Sequence, residues 1–168
     1  MEIASGGSQF SWKWYKEYHS QGLIKSLPQM FEFQADSAAP IVLGHPIEKP
    51  EPIATAIRLG DPASLPRTVV ARDESGGQID AVTDKGILDA YKLIASVEGI
   101  FREPVLAASL AGGIKKYRKG VFDKGKTIVC TLTGNGFKEP DMVFKVSGDA
   151  VKVESDLSDV RKMIDKIL

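Results

Sequence analysis

The feature that most constrains the fold is an alternation of short apolar strand signals with longer amphipathic helix signals. Strand signals cover residues 30–34 (MFEFQ), 79–82 (IDAV) and 127–132 (TIVCTL), and helix signals fill much of the chain around them. Strands separated by helices of about ten or more residues indicate a parallel sheet with right-handed crossovers. Because 168 residues can bury one sizeable core, we predict a single α/β domain over residues 1–168, a partial parallel sheet flanked by helices.

The helix signals are bounded by residues that suit helix ends. Thr83 and Ser155 stand where N-caps are expected, and Gly22 and Gly99 follow two of the predicted helices. Residues 35–52 are rich in Pro and Gly and predict a loop with a little helix, whereas residues 63–73 fit a strand or a helix, with helix favoured. Helices are predicted over residues 10–21, 53–59, 84–97, 104–116 and 156–167.

Composition excludes several classes of function. The 22 basic and 22 acidic residues cancel, which gives no general reason to expect nucleic acid or an acidic membrane as partner. The basic run 115–119 is interpreted as the solvated end of a helix. We expect a cytoplasmic protein, because the sequence has neither a signal peptide nor an apolar run of membrane-spanning length.

The cysteine and histidine content gives no sign of a disulfide or a metal site. The single Cys130 cannot form an intrachain disulfide or a cysteine metal cluster, and it reads as a small core residue. His19 and His45 stand far apart without a second ligand at metal spacing, so we predict no metal site.

The apolar run 127–132 ends on Thr133-Gly134-Asn135-Gly136. Its residues suit a strand covered on both faces. Ligands of open α/β sheets lie at the carboxyl ends of strands, and glycines there let the backbone approach a small molecule. The alternative is an ordinary glycine turn after a strand.

Two further stretches could bind a ligand. Ser5-Gly6-Gly7-Ser8-Gln9 precedes the first predicted helix and could present backbone N–H groups to a phosphate, although an ordinary cap or a cloning remnant fits as well. Glu103-Pro104 opens an Ala-rich helix, where a carboxylate can be simply a dipole partner. Neither the Walker loop nor the dinucleotide fingerprint is matched.

Taken in order, these stretches resemble threonine synthase, a family of fold-type II pyridoxal-phosphate (PLP) enzymes. The resemblance covers nearly the whole chain and implies that the sheet corresponds to most of the large domain of such an enzyme. The matching stretches are residues 34–41 (QADSAAPI), 53–62 (IATAIRLGDP), 74–77 (ESGG), 103–112 (EPVLAASLAG) and 133–141 (TGNGFKEPD).

The resemblance implies PLP as cofactor and a role for each stretch singled out above. Thr133 would place its hydroxyl against the pyridine nitrogen, and Glu103 belongs to the family's glutamate–proline helix. Ser5, Gly6, Gly7, Ser8 and Gln9 would form the phosphate loop, although the family usually has Asn at or beside the position of Ser8. The sequence also departs from the family's smaller residues at Arg102, Val105 and Leu106.

The family reaction converts O-phospho-L-homoserine and water to L-threonine and phosphate. Arg58 or Lys138 could bind the phosphate of this phosphorylated amino-acid substrate, or be structural or surface charges. The family's Schiff-base lysine lies in a Ser-x-Lys-Asp-Arg type segment that has no match in this sequence. The chain therefore resembles the C-terminal half of the family, and we expect no catalytic residue in it and no activity from it alone.

Such a half would expose a sheet edge, which an N-terminal half chain or a homodimer would cover. Two alternatives remain open. One is a related β-replacement enzyme, such as cysteate synthase. The other is a non-catalytic binding or assembly module that keeps the fold without the lysine.

Overall fold

A sheet of four parallel strands in the order β3-β2-β1-β4 forms the centre of the computed structural model, which describes residues 1–4, 7–48, 65–147 and 151–167. The strands are β1 (Glu2–Ala4), β2 (Met30–Ala35), β3 (Gln78–Val82) and β4 (Val129–Cys130). The register pairs Ala4 of β1 with Glu32 of β2. It pairs Ile3 of β1 with Cys130 of β4.

Helices connect these strands and cover both faces of the sheet. Helices α1 and α3 pack on one face, while α5 crosses the other and packs against α4. The predicted α/β class is therefore confirmed. The helices are α1 (Ser8–Ser20), α2 (Pro40–Leu43), α3 (Leu65–Ser75), α4 (Asp84–Glu98), α5 (Pro104–Arg118), α6 (Pro140–Ser147) and α7 (Leu157–Ile167).

The main core lies between the sheet and α5. Successive strand residues point to opposite faces, and Ile3, Phe31 and Phe33 all point to this face, where they pack against the small residues of α5. Gly112 lies so close to β2 that a side-chain carbon there would overlap the ring of Phe33. The Ala-rich composition of α5 thus lets the helix approach the sheet closely, as its sequence predicts.

The opposite face combines apolar and acidic side chains. Trp12 of α1 and Ala71 of α3 pack against Met30. Glu2 and Glu32 point to this same face and are 4% and 8% exposed. Two nearly buried carboxylates in adjacent strands are unusual, because burying a charge without a partner is costly.

Some local predictions are confirmed and others are wrong. The ambiguous segment 63–73 contains a helix, α3, and Thr83 caps α4 by accepting a hydrogen bond from the Gly86 N–H at 3.1 Å. The cap of α7 comes from Asp156, whose Oδ1 accepts from the Ser158 N–H at 2.7 Å, rather than from Ser155. The predicted helix 53–59 lies outside the described residues.

The predictions for β4 and for the basic run need correction. Ile128 and Val129 are 37% and 49% exposed, so this strand is not covered on both faces, because it forms an edge of the sheet described here. Residues 117–119 of the basic run are an exposed helix end, as predicted, but Lys115 and Lys116 are not, since both pair with Asp80 of β3 at 3.1 and 3.0 Å.

Candidate functional site

The strand order reverses between β1 and β4, and we call the region outside the carboxyl ends of these two strands the crevice. From β1 the chain builds β2 and β3 on one side and then crosses back to add β4 on the other. Ligands of open α/β sheets bind outside the carboxyl ends of the strands at such a reversal. Here the two strand ends are joined by the Thr131 N–H, which donates to the Ile3 carbonyl at 3.0 Å.

Helix α1 begins at this crevice. Gly7 has φ +83°, a conformation that suits glycine, and its carbonyl accepts from the Phe10 N–H at 2.9 Å. Because first-turn amides have no acceptor within their own helix, Ser8 and Gln9 can direct N–H groups at an anion. The backbone at 7–9 therefore fits a cofactor phosphate, while Ser5 and Gly6 lie outside the described residues.

The side chains of the predicted phosphate loop point elsewhere. The Ser8 hydroxyl donates to the Glu32 carboxylate, and Ser8 is 2% exposed. Gln9 Oε1 accepts from the Thr68 hydroxyl at 3.1 Å. Any contact of Ser8 and Gln9 with a phosphate would thus come from their backbone, and their side chains fix α1 to β2 and α3.

The loop after β4 packs tightly against the start of α5. A side-chain carbon at Gly134 would overlap Glu103 Oε2 and lie 3.1 Å from Leu106 Cδ1. The Gly134 carbonyl accepts from Arg102 Nη1 at 3.3 Å. Gly136 lies just as close to the Phe101 ring. The two glycines therefore permit close packing, and Thr133 remains exposed at the top of the loop.

Glu103 is the N-cap residue of α5 and is 8% exposed. One of its carboxylate oxygens lies 3.6 Å from Lys138 Nζ, and the Lys138 side chain is 67% exposed. Glu103 therefore fixes the Thr133 loop to α5 and neutralises part of the Lys138 charge. Its neighbours Val105 and Leu106 form a small apolar cluster with Leu132, which accounts for the larger residues at these positions.

Sequence reasoning missed two carboxylates below the crevice. Glu2 accepts from the Thr131 hydroxyl at 3.1 Å. Burial raises the pKa of Tyr15 to about 12, with a hydrogen bond and charge repulsion from Glu2 adding to the effect. Burial also raises the pKa of Glu32, although the Ser8 hydrogen bond opposes the shift. The available signal was an acidic residue at an inward strand position, such as Glu32 in MFEFQ.

The predicted site residues thus fall into two groups. Glu103 and the Thr133 loop are in direct contact, and β1 and β4 bring the start of α1 to the same edge of the sheet. Arg58 lies outside the described residues.

A cavity of about 770 Å³ opens elsewhere, between β3, α4 and α5. Among the described residues, no group of three or more His, Cys, Asp or Glu side chains could hold a metal, and no helix is long and apolar enough to span a membrane.

The chain is similar to enzymes that depend on pyridoxal phosphate. A family model described as pyridoxal-phosphate dependent enzyme matches residues 4–134. Similar curated proteins are threonine synthases. The one from Mycobacterium leprae is 53% identical over 134 residues, covering 80% of this chain and 37% of the relative. The one from Methanocaldococcus jannaschii is 40% identical over 171 residues, covering 97% and 42%.

Solved structures show the same fold over about half of their chains. O-ureido-L-serine synthase with bound O-ureido-L-serine matches with a TM-score of 0.66 at 13% identity, covering 95% of this chain and 46% of that one. A fungal L-serine ammonia-lyase from Rhizomucor miehei matches with a TM-score of 0.59 at 18% identity, covering 86% and 48%. The chain spans less than half the length of the threonine synthases it matches.

Proposed function

Because the chain belongs to the family of pyridoxal-phosphate dependent enzymes, we propose that it forms the phosphate-binding and Thr133 side of a threonine synthase-like active site. The observation that supports this proposal is the reversal of strand order between β1 and β4, since α1 follows β1, the Thr133 loop follows β4, and the Thr131 N–H of that segment donates to the Ile3 carbonyl. Identities of 53% and 40% to two threonine synthases support that family member over others.

Each part of the crevice has a separate task. Pyridoxal phosphate, when bound, supplies an electron sink that stabilises negative charge on the substrate. The first-turn amides of Ser8 and Gln9 hold the phosphate at the positive end of α1. The Thr133 hydroxyl would be the neutral partner of the pyridine nitrogen, on a loop whose position is fixed because Gly134 packs on Glu103.

The substrate is proposed to be O-phospho-L-homoserine, which the complete enzyme converts with water to L-threonine and phosphate. Lys138 is the candidate cation for the substrate phosphate, because its exposed side chain lies beside Glu103 and the Thr133 loop. The assignment requires that Lys138→Met raise the KM of the complete enzyme for this substrate more than it lowers kcat. An unchanged KM would contradict it.

The covalent step needs an amine with a depressed pKa, held against the cofactor. Since no lysine here matches the family's Schiff-base segment, we propose that this amine comes from residues outside these 168. We also propose that the β4 edge pairs with a second chain, because Ile128 and Val129 are partly exposed there. The second chain is either an N-terminal half chain or another copy of this chain. Sedimentation velocity of this chain alone tests the homodimer, and a monomer at tens of micromolar would contradict the homodimer and favour the N-terminal half chain.

One observation favours the alternative of a binding or assembly module without catalysis. Glu32, a buried carboxylate, contacts the first residue of α1, where a phosphate would have to bind. Negative charge at this position opposes a second anion. The two functions differ in whether the start of α1 binds the cofactor phosphate at all.

Equilibrium binding of pyridoxal phosphate tests the proposal. We expect saturable binding that inorganic phosphate competes away, with weaker binding of pyridoxal, which has no phosphate. Gly7→Ala should weaken binding about fivefold or more, because left-handed backbone costs a non-glycine residue roughly 1–2 kcal/mol. Gly120→Ala is the matched control, since Gly120 also has positive φ (+67°) and, like Gly7, nothing within 4 Å of an added carbon.

The outcome separates the two functions. Equal binding of pyridoxal and pyridoxal phosphate, or no difference between the two glycine variants, would contradict the cofactor site and favour the module.

A further inference from the structure

Glu32 is one of two buried carboxylates below the crevice whose positions the proposed function does not explain. It lies at the middle of the sheet, paired in register with Ala4 of β1 and Ile79 of β3, and it is 8% exposed. Its carboxylate accepts a hydrogen bond from the Ser8 hydroxyl. Ser8 is the first residue of α1, so a buried acid is tied directly to the helix end that faces the crevice.

No cation among the described residues pairs with this carboxylate. On α1, Lys16 pairs with Glu74 at 2.6 Å, and the Lys13 side chain is 72% exposed. On α3, Arg72 pairs with Asp73 at 2.7 Å, and Arg67 is exposed.

The neighbouring strands supply no cation either. On β1, Glu2 shares the face of Glu32 and adds a second carboxylate, which is bonded to Thr131. On β3, Asp80 points to the opposite face of the sheet and pairs there with lysines of α5. Ionised Glu32 therefore adds uncompensated negative charge next to the first turn of α1.

We propose that Glu32 controls the affinity of the α1 start for anions. When a phosphate or sulfate group binds there, Glu32 takes up a proton. The inference rests on the proposed function, because it concerns the same phosphate position. When Glu32 is ionised, its charge lies beside the first residue of α1, where it competes with the ligand for the positive helix end and repels it. When Glu32 is protonated, the repulsion is gone and the backbone amides are free to bind the anion.

The burial of Glu32 makes this linkage effective above the ordinary range of a glutamate. Loss of solvation raises the pKa of Glu32 above the usual 4.5, although the Ser8 hydrogen bond opposes the shift. A bound anion raises it further, because like charges disfavour each other's ionised form. Thermodynamic linkage then requires that protonation of Glu32 tighten anion binding by the same factor.

Sulfate is a suitable probe, because its charge stays constant across the pH range of interest. Isothermal titration at pH 8 compares the 168-residue chain with Glu32→Gln, which keeps the shape and removes the charge. We expect Glu32→Gln to bind sulfate about tenfold more tightly at pH 8, equivalent to one unit of pKa coupling. The ratio of the two affinities should fall towards one as the pH is lowered towards 4.5.

Proton uptake gives a readout that a purely structural role of Glu32 would not change. Titrations in buffers of different ionisation enthalpy should show that the wild-type chain takes up a proton when it binds sulfate, and that Glu32→Gln does not. Glu74→Gln is the control, since Glu74 is also a carboxylate bonded to α1, through Trp12 and Lys16. It should behave as the wild type in both measurements.

Ser8→Ala is a second variant that does not depend on the folding of Glu32→Gln. It keeps the backbone amide but removes the hydrogen bond that favours ionised Glu32. The pH at which sulfate affinity declines should therefore be higher in Ser8→Ala than in the wild type.

The possible results distinguish this inference from the proposed function. If pyridoxal phosphate binds and phosphate competes with it, but Glu32→Gln and Ser8→Ala leave the pH profile of sulfate binding unchanged, the inference is wrong and the function stands. If neither sulfate nor pyridoxal phosphate binds to the wild type or to Glu32→Gln, both are wrong.

Discussion

At the scale of single residues, the proposed cofactor site depends on the Thr133 hydroxyl. Thr133 is exposed at the crevice, so its side chain contributes little to packing. Thr133→Val should weaken pyridoxal-phosphate binding about threefold to tenfold, the effect of losing one hydrogen bond worth roughly 0.5–1.5 kcal/mol. Thr133→Ser keeps the hydroxyl and is the control. Fluorescence titration measures both, and a Thr133→Val variant that binds like the wild type would exclude this role.

Asp80 is the residue that should dominate acid sensitivity on the α5 side. Burial opposes its ionisation, but hydrogen bonds from Lys116 and Lys115 outweigh this effect and lower the pKa of Asp80 to about 2. Because the folded-state pKa is below the ordinary 3.8, the stabilisation is present above pH 4 and is lost as the pH falls towards 2.

Urea unfolding between pH 5 and pH 2 checks this prediction. The wild type should lose about 2 kcal/mol over this interval from Asp80. Asp80→Asn should lose less over the same interval from a lower starting stability, because Lys116 is left buried without its partner. Asp73→Asn, at an exposed carboxylate, should follow the wild type. Parallel curves for the wild type and Asp80→Asn would refute the assignment.

Individual residues also show where sequence reasoning ends. The composition of the Thr133 loop predicts either a ligand site or a glycine turn, and the structure shows that Gly134 and Gly136 permit close packing on Glu103 and Phe101. The contact between Ser8 and Glu32 could not be predicted, since it depends on the register that sets Ala4 beside Glu32. A shift of one residue in that register would turn Glu32 to the other face of the sheet.

At the scale of elements, the close approach of α5 to β2 fixes the position of Glu103 and the Thr133 loop. Gly112→Ala should destabilise the chain by about 1–3 kcal/mol, because the new methyl group would overlap the ring of Phe33. Gly113→Ala is the matched control on the same helix, since its methyl group would meet the terminal carbon of Ile3 at 3.0 Å and Cys130 Sγ at an ordinary 4.0 Å. The Ile3 contact can relax, and alanine favours the helix by about 1 kcal/mol.

Thermal and urea denaturation of the two variants check this prediction. Equal stability of Gly112→Ala and Gly113→Ala would mean that the approach of α5 to the sheet is looser than described.

Elements differ in how well the sequence predicts them. Helices α4 and α5 and strand β2 follow from local periodicity and from their caps, and their predicted bounds differ from the structure by one or two residues. The exposure of β4 could not be predicted in this way. An apolar strand has the same sequence pattern at the centre of a sheet and at its edge, and only the strand order places Val129 at the edge.

At the scale of the whole molecule, the described part of the chain has one sheet, with a crevice at the reversal of strand order. We propose that the α1 start and the Thr133 loop supply groups for the cofactor's phosphate and ring nitrogen. The lysine that attaches the cofactor is proposed to lie outside these 168 residues. We therefore predict that this chain binds the cofactor without attaching it covalently.

The most direct test of this account is to add pyridoxal phosphate to the purified chain, reduce it with borohydride and map the modified lysines by peptide mass spectrometry. We predict saturable binding that phosphate competes away, with no single lysine modified in preference to the others. Lys138→Arg, which removes the lysine beside Glu103 and the Thr133 loop, should leave the pattern unchanged apart from that peptide. One dominant adduct, at Lys138 or any other lysine, formed with a visible absorption band and abolished by pyridoxal-phosphate competitors, would contradict the account.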